Sequence, residues 1–470
     1  MEVTLNFTVD SSGFDSKKAL VVFEKLYRIE QVPVEEGYPE REDEELPKEL
    51  QKHEDINDED QTIRYGGIIE TIATDAKSGT HNMLAEKGAK IVDVVKYENL
   101  STATEYTIEG ELYDKTTGKL TGVKASKKFK PEKPDGSVEL EFKIDASDLK
   151  GHALVAYENL KVGDTSVSTH EDPNDEDQTV HIPEIETIAV NPENNQHIAK
   201  AGTISVKDTV TYKNLVPGKT YKLKGTLQYR DGLLNLLKTV QKDGKDLVAE
   251  TSFTPTTASG TVEVTFTFDA TDLEGKTTVV FEDLYDGEYI VATHSDPEDE
   301  DQSVHFPKIR TKIGEKGTDY ITDDVTFENL IPGKTYHMHA YAVKQKTAEP
   351  VKGFTGDLTF VASAANGKVS VKLKNIKGSG NVVVFEECWL VGDDGTETLV
   401  GEHKDINDKK QLYKKTGKIV VDDKDGFKKV QTGDSNVLYV WFALIFVAAT
   451  SLCGFGIHRF RQRRKEDDIL

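Results

Sequence analysis

A chain of 470 residues exceeds what one hydrophobic core supports and divides by length into roughly three or four domains. Its 36% hydrophobic and 30% charged residues exclude a disordered chain, and a net charge of -24 argues against nucleic acid as a partner. Two cysteines, Cys388 and Cys453, rule out a disulfide framework, so folded modules must rest on their cores or on another staple.

Taken in chain order, residues 1–10 hold no apolar signal-peptide core and begin inside an alternating strand pattern, so the chain reads as lacking an N-terminal portion. Residues 1–65 match only the second half of a module that then recurs in full at 66–183, 184–307 and 308–413. Within them, residues 30–51 are an acidic insertion expected to be a solvated loop. Each full module opens with a short alternating run, IETIA at 69–73 and 185–189 and IRTKI at 309–313. A strand ending in Asn-Leu follows: DVVKYENL at 93–100, DTVTYKNL at 208–215 and DVTFENL at 324–330. Pro217-Gly218 and Pro332-Gly333 then supply turns. Late in the module come an alternating strand, clearest at 261–269 (TVEVTFTFD), and an apolar run closed by Glu, at 21–24, 155–158, 279–282 and 383–386. Period-2 alternation, β-branched and aromatic residues and frequent turns predict an all-β chain of tandem immunoglobulin-like β-sandwich modules. No amphipathic helix is evident.

Beyond the modules, residues 414–436 form a polar spacer. Residues 437–457 are uncharged and long enough to span a bilayer as a C-terminal transmembrane helix, with Tyr439 and Trp441 near one edge. The basic cluster at 458–465 opens a cytoplasmic tail, 458–470, which places everything before 437 outside the cell.

One stretch is written four times: residues 53–63 (HEDINDEDQTI), 170–180 (HEDPNDEDQTV), 294–304 (HSDPEDEDQSV) and 403–413 (HKDINDKKQLY). Its Gln positions lie 117, 124 and 109 residues apart, the spacing of separate modules rather than of solenoid repeats. Three residues keep one spacing throughout: His53/Asp58/Gln61, His170/Asp175/Gln178, His294/Asp299/Gln302 and His403/Asp408/Gln411. Upstream of each stands the Glu that closes the apolar run, Glu24, Glu158, Glu282 or Glu386, at a core edge where a carboxylate is costly unless partnered. Glu-to-His separations of 29, 12, 12 and 17 residues make the intervening loop free in length.

This set resembles the Thr-Gln ester-bond domains of Gram-positive surface adhesins, immunoglobulin-like modules that cross-link their first and last strands autocatalytically. The resemblance covers residues 1–413. It implies bonds from Thr71 to Gln178 assisted by Glu158, His170 and Asp175, from Thr187 to Gln302 assisted by Glu282, His294 and Asp299, and from Thr311 to Gln411 assisted by Glu386, His403 and Asp408. In the last, Leu412 follows the Gln where the other copies have Thr or Ser, a departure from the family's pattern. The copy with Glu24, His53, Asp58 and Gln61 has no Thr before it and is expected to stay unlinked. Chemically, His would take the Thr hydroxyl proton. An Asp and a Glu held together cannot both ionise cheaply, so one stays protonated and stabilises the carboxamide oxygen under attack. Each site reacts once, so no turnover enzyme is expected, and no cofactor or metal is required.

Calcium is the competing reading of the acidic runs, but they lack the loop glycine and terminal bidentate Glu, and Lys409 and Lys410 stand where ligands belong. An isopeptide link fails because Lys96 aligns with Thr211 and Thr326. Val430-Gln431-Thr432-Gly433, the apolar span and the basic tail together resemble a sortase sorting signal, with Lys429 and Val430 where that family usually has Leu and Pro. The resemblance implies a cell-wall-anchored stalk whose partners are sortase, peptidoglycan, the membrane through 437–457 before sorting, and a host-surface ligand for a tip not included here. The alternative is a module that binds a glycan, host protein or calcium on a plain membrane anchor.

Overall fold

The computed structural model describes residues 3–10, 19–30, 46–231, 236–317, 319–374 and 380–415. The sorting motif, the span at 437–457 and the tail lie outside the described residues, as does most of the acidic insertion. Among the described residues no helix is long and apolar enough to cross a membrane.

The third module shows the plan. One sheet has three antiparallel strands, Glu184–Val190, Thr203–Lys213 and Gly260–Asp269, with the longest in the middle. The facing sheet is built on Tyr221–Asp231 and Lys276–Asp286, extended by Leu236–Thr239 and Val248–Phe253 on one side and by Tyr289–His294 and Ser303–Phe306 on the other. Alternation directs one row of each strand inward, as in Val206, Asp208, Val210 and Tyr212, all buried. The second and fourth modules repeat these sheets. Buried apolar side chains gather into three clusters, one per complete module, although Ile198 of the third module packs into the fourth module's core.

The described residues of 1–65 contribute a piece of the second sheet: Ala19–Val21 paired with Thr62–Arg64, and Glu24–Glu30 paired with Leu46–His53. The strand expected near residues 3–10 does not form; Val3, Leu5 and Phe7 are exposed. Its counterpart Gly260–Asp269 pairs solely with Thr203–Lys213, and the described residues of 1–65 contain nothing equivalent to that partner. A strand without a neighbour leaves its backbone groups to water.

Candidate functional site

Two sheets deliver the site. On the second, Glu158, Glu282 and Glu386 face inward between apolar residues and are buried. Each lies directly across the hairpin from its His: Glu158 from His170, Glu282 from His294, Glu386 from His403, and likewise Glu24 from His53. In all four copies the register shifts once just past that pair, after Leu160, Leu284, Cys388 and Leu26. The bulge separates the constant pair from a loop of any length, which is why the loop varies while the chemistry stays in place.

The acidic stretch after each His is a turn. Asp175 Oδ1 accepts the Asp177 N–H at 3.0 Å, and the same Asx contact recurs at Asp58, Asp299 and Asp408. The other carboxylate oxygen holds the imidazole Nε2, at 2.7 Å for His53, 3.2 Å for His170, 3.0 Å for His294 and 3.5 Å for His403. Where Thr62, Thr179 or Ser303 follows the Gln, its hydroxyl closes the turn on the Asp carbonyl. Leu412 lacks that hydroxyl, so the fourth module's departure costs a turn contact and leaves the Gln where it is. The turn returns the chain to the core with Gln178, Gln302 and Gln411 buried, each carbonyl accepting the backbone N–H two residues before the Glu.

The first sheet supplies the rest. Thr71, Thr187 and Thr311 are inward and buried on the opening strands. The residue two past each Thr donates its N–H to the residue just before the Gln: Ala73 to Asp177 at 2.9 Å, Ala189 to Asp301 at 2.8 Å, Ile313 to Lys410 at 2.9 Å. First and last strands therefore meet at the candidate bond in all three complete modules. The Gln302 and Gln411 amides donate to the Thr187 and Thr311 hydroxyls, and the Gln178 and Gln302 amides reach Glu158 and Glu282 at 2.5 and 2.8 Å.

Sequence reading missed one member. The carboxyl set against each Glu is not the Asp of the repeated turn but Asp93, Asp208 or Asp323, on the strand next to the Thr. All three are fully buried. The signal was present: in IVDVVKY, VKDTVTY and ITDDVTF an Asp sits at core parity between apolar residues. Burial, and next the charge of Asp93, pushes Glu158 up to about 10. Burial pushes Asp93 up to about 6, with the Glu158 hydrogen bond and the His170 charge opposing. Glu282 and Glu386 are raised well above the carboxylate range for the same reasons, and burial raises Asp208 and Asp323. Each pair thus holds a proton at neutral pH, and it resides on the Glu.

A second difference concerns His. The Thr187 hydroxyl accepts the Gln302 amide, with the buried Asp208 and Glu282 carboxyls beside it, whereas His294 is occupied by Asp299 and, at 3.2 Å, by the Ile185 carbonyl. In the fourth module His403 Nδ1 accepts the Thr311 N–H at 3.3 Å. Among the described residues, the group hydrogen-bonded to the Thr187 and Thr311 hydroxyls is the Gln carboxamide, the Thr71 hydroxyl is buried without a partner, and no His reaches a Thr hydroxyl.

The model of the T-Q ester bond containing domain matches residues 1–65, 67–182, 183–306 and 309–432. The chain belongs to this family. Solved structures similar to these T-Q domains include a Mobiluncus mulieris adhesin described as containing intramolecular disulfide, isopeptide and ester bond cross-links. It is 15% identical, covering 54% of this chain and 90% of that one at a TM-score of 0.21. Others are a tetra-tandem repeat in the extending region of a large adhesion protein, 12% identical over 73% and 74% of the two chains at 0.18, and the chicken CNTN1 FN1–FN3 domains, 9% identical over 71% and 99% at 0.21. No curated protein matches the chain. In half of the first T-Q domain the Gln side is assembled alone: Gln61 donates to Glu24 at 2.6 Å and His53 meets Asp58, with no Thr or buried Asp opposite among the described residues. Among the described residues no cluster of His, Cys, Asp and Glu has the geometry of a metal site.

Proposed function

We propose that the three complete modules each form one Thr–Gln ester and that the chain is the stiffened stalk of a cell-surface adhesin. The observation that carries this is the buried carboxyl pair against the Thr hydroxyl and the Gln carboxamide, with the proton on the Glu and the Asp the better base. Asp208 takes the Thr187 proton. Thr187 Oγ attacks the Gln302 side-chain carbonyl carbon. Oxygen and nitrogen of a carboxamide occupy equivalent positions, and Gln302 Oε1 as placed is buried without a partner. Turning the amide sets that oxygen against the protonated Glu282, which then donates to the developing oxyanion. The C–N bond breaks and ammonia departs with the proton from Asp208, leaving an ester in a site dry enough to keep it. Packing both groups on hydrogen-bonded strands supplies the effective concentration. Each site reacts once.

The mechanical consequence follows from spacing. Gln178 precedes Thr187 by nine residues and Gln302 precedes Thr311 by nine. Tension runs through a connector, across an ester and into the next connector, bypassing each core. Residues 430–433, 437–457 and 458–470 extend the reading to a sortase substrate joined to peptidoglycan, with the span as a temporary anchor and a host-surface ligand reserved for a tip.

Intact-mass measurement tests the chemistry. A deficit of three ammonia units is expected, with the links mapped to Thr71–Gln178, Thr187–Gln302 and Thr311–Gln411. An unmodified mass in folded protein overturns it. Release of the segment from Gly433 onward by a sortase tests the anchor, and retention of the tail rejects it.

A further inference from the structure

The acidic turn has a second occupant that the ester chemistry does not use. Three residues after each Gln stand Arg64, His181 and His305, and two residues before it stand Glu59, Glu176 and Glu300. In each case the cationic or imidazole side chain bridges that Glu to an Asn of the following module. Arg64 donates to Glu59 at 2.6 Å and to Asn99 Oδ1 at 2.7 Å. His181 is 3.3 Å from Glu176 through Nε2 and 2.8 Å from Asn214 Oδ1 through Nδ1. His305 repeats this with Glu300 at 3.1 Å and Asn329 Oδ1 at 3.1 Å.

The Asn residues are themselves set for the task. Asn99, Asn214 and Asn329 end the Asn-Leu strands in the left-handed region, at φ 56°, 60° and 65°, which Asn tolerates better than most residues. Asn214 donates its amide to the His152 carbonyl, and Asn329 donates to the Lys276 carbonyl at 2.6 Å, both back in the preceding module. Those donations fix which amide atom is oxygen, so Oδ1 faces the imidazole as an acceptor.

Both partners of each imidazole are therefore acceptors, one a carboxylate. A neutral imidazole has a single N–H and satisfies one; an imidazolium satisfies both. At the joint of the third and fourth modules Thr277 agrees, since its hydroxyl donates to Asn329 at 2.9 Å and turns its lone pair toward His305 Nδ1 at 3.1 Å. Both rings are nearly buried between modules. The groups facing His181 are Glu176, itself paired with Lys115 at 2.9 Å, and Asn214; near them His152 is paired with Asp114. Those facing His305 are Glu300, Asn329 and Thr277.

We propose that His181 and His305 are proton-operated locks between adjacent modules: as imidazolium each ties its own module's acidic turn to the next module's Asn, and as neutral imidazole it releases one of the two. Arg64 makes the equivalent joint permanent. The fourth copy departs from this pattern, carrying Lys409 and Lys414 at the two positions.

The test measures inter-module order in the full chain. Spin labels on Lys127→Cys and Glu250→Cys, in a Cys453→Ser background, report the distance distribution across the His181 joint at pH values from about 8 down to about 5.5, the range in which histidine titrates. The distribution is expected to narrow on acidification, with the locked fraction rising by up to about tenfold per pH unit, the limit for one linked proton. His181→Arg should be narrow throughout and His181→Gln broad throughout, with circular dichroism showing both folded. Wild type without pH dependence, or His181→Arg retaining it, overturns the proposal.

Discussion

Residues 1–65 and the third module carry the same Gln-side half of the site, and they differ in what stands opposite. Both place Glu across from His, both bulge two residues past the Glu, and both hang the imidazole on an Asx turn. In the third module Gln302 and Leu284 are fully buried; in the first, Gln61 is only half-buried and the equivalent Leu26 is 58% exposed. The hairpin and turn are thus local constructions that need no opposing sheet. The sheet bearing Thr187 and Asp208 adds what local sequence cannot: it removes water, brings the second carboxyl, and raises the Glu.

Breaking that difference gives the largest expected effect. Thr187→Ala makes the third module resemble the first in lacking its nucleophile, so one ammonia loss should vanish from the mass. The module should lose on the order of 4 to 5 kcal/mol against unfolding, the loop-closure contribution for residues 115 apart, read by chemical denaturation. Gln61→Glu serves as the converse: the number of ammonia losses should remain three.

Next in size are the carboxyls that only the complete modules contain. Glu282→Gln replaces the acidic O–H offered to the oxyanion with a weaker amide N–H and should slow ester formation by up to about 10²–10³-fold, followed as mass change against time after refolding. Asp208→Asn removes the base and should stop it on the same timescale while the module remains folded.

A pH series on an unlinked second module, Thr71→Ala, sharpens the role of burial. Glu158 rises from an ordinary 4.5 to about 10 on folding, so the folded state holds the extra proton between those values. The Glu158 contribution is complete below about 4.5 and falls as pH climbs toward 10, by no more than about 1.4 kcal/mol per pH unit. Adding Glu158→Gln should flatten the slope at pH values well above about 6, the midpoint of Asp93. Urea midpoints at several pH values check both.

The smallest expected effect concerns the fourth module's departure. Thr179→Val should cost the second module about 1 kcal/mol, the value of the hydrogen bond from its hydroxyl to the Asp175 carbonyl, and leave its ester in place. Leu412→Thr should recover a similar or smaller amount. Loss of the ester in Thr179→Val would mean that the hydroxyl matters to the chemistry.

The module count, the β alternation, and the His, Asp, Gln, Glu and Thr positions were legible in the sequence because each is a repeated local pattern. Four copies with unequal acids separate what the turn requires from what merely surrounds it. Asp208 and its equivalents were visible as letters but not as participants, since an Asp at core parity acquires meaning only when Glu282 faces it across the sandwich. The role of His was also decided by packing: its spacing from Asp299 was readable, but occupation of its other nitrogen by the Ile185 carbonyl depends on how the opening strand passes beside the hairpin. The same holds at the joints, where Glu176, His181 and Asn214 are separated in sequence by as many as 38 residues and meet only because one module ends where the next begins. By itself the sequence determined the strands, the turns and the reactive residue types, which depend on neighbours along the chain. Tertiary structure alone decided which carboxyl faces which, because desolvation and shared protons arise where two sheets close on each other.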